Sequence, residues 1–310
     1  MIQTKYAIVV VTYNREMLLQ ECIDKAANQT IKPDCIIIVN NASTDKTKIY
    51  LNKIDDGSGF FDIINLSQNI GGAGGFAKGI EHAVKKDVEC ILIIDDDAMI
   101  EKDYMERILQ ERQRRFEYKA FAGTVKVNDK IDTFHRRKVS DIGMLLRNCK
   151  EEEYLCACFE CDIASFCGMV LDVELIKRIG LPHSRYFIWH DDAEYSLRIR
   201  KYSKFLVVTK AVLAHKTKIN EIFRPRRYDW REYYAIRNRI LLVKEHGTIL
   251  DRIINAMHLF VHVIFRNWVF KLIKVDHYDW KYENAIVKEA IRDAKGNKKY
   301  VENRTCRVRR

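Results

Sequence analysis

Residues 69–79 read NIGGAGGFAKG, and the reading of this loop decides the fold. Gly72 to Ala77 (GAGGFA) satisfies G-x-G-x-x-[GA], the dinucleotide-binding fingerprint. An apolar run, FDIINL, precedes it, and Asp95 stands at about the distance expected of a ribose-binding acid. In a dinucleotide fold, however, the fingerprint follows the first strand. Here two strand–helix units come first: YAIVVVT (6–12) with EMLLQECIDKAANQ (16–29), then CIIIV (35–39) with STDKTKIYLNKI (43–54), the latter opened by Ser43 as N-cap. DIINL (62–66) is a third strand, GGFAKGIEHAVKK (74–86) its helix, and CILIID (90–95) a fourth strand. That misplacement argues against a nicotinamide or flavin oxidoreductase. No GK[ST] follows the glycines, so a Walker loop is excluded. The glycines are expected instead to bring backbone close to a sugar or diphosphate, with helix N–H groups facing it.

Strands apolar throughout and separated by helices predict an α/β fold with a mostly parallel sheet covered on both faces. Ligands of such sheets bind beyond the carboxyl ends of the strands. The polar clusters TYNR, NNASTD, NIGGAGG and DDDA all fall there. Residues 117–160 are charged and irregular, which predicts an insertion holding a strand or two. A helix (DVELIKRIG), the cluster YFIWHDDAEYSLRIRK (186–201) and a strand pair ending AVLAHK (211–216) follow. Beyond residue 228 the pattern is purely helical, with Pro225 as a plausible hinge, giving domains 1–225 and 226–310.

The chain has 310 residues and a net charge of +11, an excess that favours phosphate-bearing partners or an anionic surface. Nine irregularly spaced cysteines suit reduced thiols in a cytoplasmic setting. The start, MIQTKYAIVVVTYNRE, reads as a buried strand and not a signal peptide. No stretch reaches the roughly 18 apolar residues of a membrane-spanning helix. C-x-x-C at Cys158 and Cys161 has no matching second pair, so buried thiols explain it better than zinc.

Chemistry concentrates in three places. In IIDDDAM, three carboxylates at a strand end repel one another unless a cation joins them. On an extended chain Asp95 and Asp97 point the same way and can reach one hard metal, while Asp96 points elsewhere. In WHDDAEYSLR, Asp191, Asp192 and Glu194 open a helix behind the aromatic approach YFIW, which can half-bury a carboxylate and keep it basic. His215 ends a strand and becomes a third ligand if Asp95 and Asp97 hold a metal. In the tail, RIINAMHLFVHVIFRNWVFKLIK (252–274) carries a polar stripe, Asn255, His258, His262 and Arg266, on a broad apolar surface. It suits a helix lying in a membrane interface, or one packed on the α/β domain or a second subunit. The terminal KKYVENRTCRVRR favours an anionic lipid surface. No aromatic–basic module for nucleic acid is visible.

Taken together, VVVTYNR, VNNASTD, NIGGAGGFAKG, IIDDDA, WHDDAEYSLR, AHK and YYAIRNR resemble a family-2 glycosyltransferase of the GT-A fold over residues 6 to about 245. The similarity is to bacterial galactofuranosyltransferases and the related rhamnosyltransferases. It implies a nucleotide-sugar site formed by Thr12, Tyr13, Arg15, Asn41, Asn69, Gly71, Gly72, Gly74 and Asp96. It further implies Mn²⁺ or Mg²⁺ on Asp95, Asp97 and His215, with Asp192 as catalytic base. Asp191 and Glu194, with Trp189 and His190, would place the acceptor. Many relatives carry aspartate where this chain has Asn41, and paired tryptophans where it has ASFCGM with Phe166 alone.

The expectation is therefore an inverting, metal-dependent hexosyltransferase in cell-surface polysaccharide synthesis. It would move galactofuranose from UDP-galactofuranose onto a lipid-linked or oligosaccharide acceptor, or rhamnose from dTDP-rhamnose. It would sit in the cytoplasm, peripheral at the inner face of the membrane, alone or as a homo-oligomer. An oxidoreductase and a non-catalytic membrane or nucleic-acid binding protein are the rival classes.

Overall fold

The computed structural model describes residues 4–217, 230–273 and 280–296. Its elements are β1 (Tyr6–Thr12), α1 (Glu16–Ala27), β2 (Cys35–Asn40), α2 (Thr47–Ile54), β3 (Phe61–Asn65), α3 (Gly71–Ala83), β4 (Cys90–Asp95), β5 (Ala98–Ile100), α4 (Tyr104–Arg114), β6 (Ala120–Val127) and β7 (Lys130–Ile131). There follow β8 (Arg136–Val139), β9 (Leu146–Asn148), β10 (Cys158–Cys161), β11 (Ile163–Ala164), β12 (Met169–Asp172), α5 (Val173–Ile179), α6 (Asp191–Ile199) and β13 (Phe205–His215). The last helices are α7 (Trp230–His246), α8 (Ile249–Leu259), a π-helical turn (Phe260–Phe265), α9 (Arg266–Leu272) and α10 (Trp280–Lys295).

The main sheet has the order β10-β13-β6-β12-β4-β1-β2-β3, with β5 paired to β13 and β7 to β6. β4, β1, β2 and β3 run parallel, as do β6 and β13; β12 runs antiparallel between β4 and β6. β11, β8 and β9 form a second, small sheet. Alternation within β1 divides the core. Tyr6, Ile8 and Val10 face a cluster with Leu19, Met105 and Ile108, whereas Ala7, Val9 and Val11 face one with Phe76, Ile80 and Tyr195. Both faces are covered, which is why the strands are apolar throughout.

The glycine loop differs from its expected shape. α3 begins at Gly71, three residues before the predicted start, so most of GGAGGFAKG is helix. A Cβ on Gly75 would lie 2.6 Å from Val11 Cγ1, and one on Gly79 would lie 2.4 Å from Val9 Cγ1. One on Gly74 would meet Ile70 at 2.7 Å. Gly75 and Gly79 thus let the helix lie close on β1. Gly72 is different, with open space where its Cβ would be.

Three other expectations are corrected. α2 starts at Thr47, because Ser43 Oγ accepts from Asn14 N–H and Asp45 Oδ1 accepts from Thr47 N–H. Residues 117–160 hold more than an insertion: β6 lies inside the main sheet. The strand pair near residue 211 is one strand, β13, with a register shift between Val208 and Val212. Pro225 and the basic end from residue 297 lie outside the described residues.

The chain divides into two compact units. The first comprises Met1–Lys138, Arg147–Ser184 and Asp192–Lys218, and the second Val139–Leu146, Arg185–Asp191 and Ile219–Arg310. In the second, Ile236, Ile286, Val287 and Ala290 form a core with Tyr233, Ile240 and Leu259 around it. Arg239 donates to the Gly143 and Met144 carbonyls, and Asp251 accepts from Gly143 N–H, which fixes the 139–146 segment to α7 and α8. No helix among the described residues is long and apolar enough to cross a membrane.

Candidate active site

The carboxyl ends of β1 and β4 lie side by side, since Val11 pairs with Asp95. Thr12 Oγ1 therefore donates to Asp96 Oδ2 at 2.7 Å. Arg15, at the start of α1, reaches over both following carboxylates, at 3.1 Å from Asp96 and 2.6 Å from Asp97. The chain turns at Asp96 and Asp97, so strict strand alternation does not apply. Asp96 thus faces Arg15 together with Asp97, contrary to the extended-chain expectation.

β5 leaves that turn and pairs antiparallel with the end of β13, placing His215 opposite Ala98. Lys216 N–H closes the register on the Asp97 carbonyl. As a result His215 Nε2 lies 3.1 Å from Asp97 Oδ1. Burial opposes charge on His215, but the hydrogen bond and the charge of Asp97 prevail and raise its pKa. Despite its burial, Asp97 is held below the usual carboxylate range by His215 and Arg15. Asp95 is pushed up to about 7 by desolvation and then by Asp97, and Asp96 to about 6, mainly by burial. His215 Nδ1 is buried without a hydrogen-bond partner among the described residues. Carboxylate oxygens and an imidazole nitrogen are donors that a hard divalent cation accepts, and of the three residues Asp97 and His215 are in hydrogen-bond contact.

His135, Arg136 and Arg137, which the sequence reading passed over, border this cluster. The His135 ring stands edge-on to His215, with centroids 5.0 Å apart. Burial and the adjacent Arg136 push its pKa down to about 3, so it is neutral. Arg136 is fully buried and donates to the carbonyls of Gly123, His135 and Cys167. Arg137 lies 3.7 Å from Asp192 Oδ2 and stacks on Phe134. Asp192 Oδ1 also accepts from Ala193 N–H at the start of α6. Burial raises the Asp192 pKa, and Arg137 opposes the rise.

The other predicted site residues are placed as follows. Asn41 Oδ1 accepts from Ile70 N–H and Asn41 Nδ2 donates to the Gly71 carbonyl, while Asn69 Oδ1 accepts from Gly71 N–H. Both amides thus shape the turn into α3. Tyr13 is 44% exposed. Glu194 is buried and bonded bidentately to Arg198, which also donates to the Ile179 and Leu181 carbonyls. Trp189, His190 and Asp191 belong to the second unit, where Trp189 and His190 have positive φ.

Comparison with known proteins agrees with this architecture. The galactofuranosyltransferase GlfT1 of Mycolicibacterium smegmatis is 35% identical over 89 residues, 29% of this chain and 28% of its own. GlfT2 of the same organism is 25% identical over 77% of this chain and 41% of its own length. The dTDP-rhamnosyl transferase RfbF of Shigella flexneri is 23% identical over 82% of this chain and 85% of its own. The chain thus spans less than half the length of either galactofuranosyltransferase. Among solved structures, S. aureus TarS 1-349 in complex with UDP-GlcNAc matches with a TM-score of 0.59 at 15% identity, over 94% of this chain and 80% of that one. GalNAc-T7 with UDP, GalNAc and Mn²⁺ matches with a TM-score of 0.62 at 13% identity, over 78% of this chain and 48% of that one. The profile of Glycosyl transferase family 2 matches residues 7–180, more than half the chain. With the sheet, the carboxylate turn and this match in agreement, the chain belongs to glycosyl transferase family 2 and has the GT-A fold.

Proposed function

We propose that the chain is an inverting, metal-dependent glycosyltransferase. The observation that carries the reading is the convergence of Arg15 and His215 on Asp97, beside an Asp95 held near protonation. Asp95, Asp97 and His215 are the residues that would hold Mn²⁺ or Mg²⁺. A bound cation supplies Lewis-acid stabilisation of the departing diphosphate, on the order of several kcal/mol. Thr12, Arg15 and Asp96 border the nucleotide diphosphate, with Tyr13, Asn41, Asn69, Gly71, Gly72 and Gly74 around the donor. Asp192 takes the proton of the acceptor hydroxyl as its oxygen bonds to the anomeric carbon and the bond to the diphosphate breaks. One base suffices, and it contributes about 10²–10⁴-fold. Asp191, Glu194, Trp189 and His190 place the acceptor.

The donor best supported is UDP-galactofuranose, by the similarity to two galactofuranosyltransferases. dTDP-rhamnose is the second reading, favoured by the similarity to RfbF along most of both chains. The acceptor is a lipid-linked glycan precursor at the inner membrane face. Ile249, Leu250, Ile253, Met257, Phe260 and Trp268 are large exposed apolar side chains in the second unit, and they support contact with lipid. A panel of nucleotide sugars with Mn²⁺, read as released nucleoside diphosphate, tests the reading. Turnover of UDP-galactofuranose is expected, and indifference to both donors overturns it.

A further inference from the structure

Phe187, Trp189 and His190 all adopt left-handed backbone, with φ of 62°, 62° and 63°. Three such residues in four are unfavourable for side chains that carry a Cβ, so something must hold them. Within the second unit the holder is Asn238 of α7. It is fully buried, and its Nδ2 lies 2.8, 2.9 and 2.8 Å from the carbonyls of Tyr186, Ile188 and Trp189. The amide orientation follows from its other end, where Oδ1 accepts from Arg237 Nε at 2.9 Å and Nη2 at 2.7 Å. Two N–H hydrogens are thereby shared among three carbonyls. The turn runs directly into α6, whose second residue is Asp192.

We propose that Asn238 is a positioning residue for sugar transfer. By clamping the left-handed turn 187–190 it fixes the backbone from which α6 starts, and with it the direction of the Asp192 carboxylate. The inference rests on reading Asp192 as the base. No chemistry is asked of Asn238 itself: it acts on three backbone carbonyls. Aspartate at 238 keeps the shape and the oxygen facing Arg237, but it removes both donors and turns an anion towards the carbonyls.

The test uses the full chain with Asn238→Asp. Transfer is measured per nucleotide-binding site, counted by titration with the nucleoside diphosphate and Mn²⁺. The expected result is a kcat per site reduced by roughly 10- to 100-fold, the cost of a misdirected base, with donor affinity unchanged. A residue that merely supports the fold would lower the number of binding sites and leave kcat per site as it was, and that outcome overturns the proposal. If Asn238→Asp does not fold, Asn238→Ser, uncharged and with one donor, is judged by the same criterion. In an Asp192→Asn background the Asn238 change should cost nothing further, and an equal additional loss overturns the positioning role. Turnover retained by Asp192→Asn alone overturns the base assignment and the proposal with it. Unchanged kcat per site in Asn238→Asp overturns the positioning alone.

Discussion

His215 Nε2 and Asp97 Oδ1 lie 3.1 Å apart although 118 positions separate them in the chain. The pairing of β5 with β13 brings them together, and a cation at this turn would draw on both. EDTA should therefore abolish nucleoside diphosphate release, and added Mn²⁺ should restore it. His215→Ala should weaken Mn²⁺ binding, followed by the electron paramagnetic resonance of free Mn²⁺. Chelator-indifferent turnover would sink the metal-dependent reading.

Asp192→Asn should cost about 10²–10⁴-fold in transfer, the usual contribution of a general base. Nucleotide binding should persist, because Thr12, Arg15 and Asp96 do not depend on that carboxylate. Wild-type-like kcat in this variant would remove the base assignment.

Arg137 offers a check through pH. Burial raises the Asp192 pKa, and Arg137 is the largest influence holding it down. Removing the guanidinium should raise it further, so Asp192 stays protonated to a higher pH. The acid limb of kcat in Arg137→Ala should shift upward, with activity lost first on the acidic side. A shift downward, or none, would show that Arg137 does not control the base.

The glycines of α3 should separate packing from ligand contact. Gly79→Ala forces a Cβ against Val9 and should cost about 1–3 kcal/mol, the range for overpacking, read as a lower melting temperature. Gly72→Ala meets open space, and in a helix it should stabilise by about 0.5–1 kcal/mol. A fall in donor affinity for Gly72→Ala with an undiminished melting temperature would mark that face as the donor's; unchanged affinity would remove Gly72 from the donor site.

Much of this arrangement is legible in the sequence, for identifiable reasons. β1, β2 and β4 announce themselves because a strand covered on both faces must be apolar at every position. The carboxylate turn is legible because three consecutive aspartates at a strand end have few structural uses. What stays hidden depends on partners far away in the chain. FHRRK (134–138) reads as a charged surface, yet Arg136 is wholly buried, its guanidinium satisfied by carbonyls of residues that no local pattern connects. AFAGTVKV falls in a segment read as an insertion with a strand or two, because charged sequence surrounds it, although β6 is interior to the main sheet. GAGGFA misleads for a different reason. Small residues satisfy a fingerprint whether they admit a diphosphate or a neighbouring valine.

The register between β5 and β13 carries a consequence in time. Among the described residues β13 is the last strand to leave the ribosome, and it inserts between β10 and β6, both made earlier. Until it docks, Asp95 to Asp97 stand at the end of β4 without their imidazole, and Arg15 is their one close counter-charge among the described residues. The Asp97–His215 contact thus comes from a highly non-local strand pairing, the kind that forms slowly. A growing chain holds the parts of this cluster well before it holds the cluster, which arrives with the closing of the sheet.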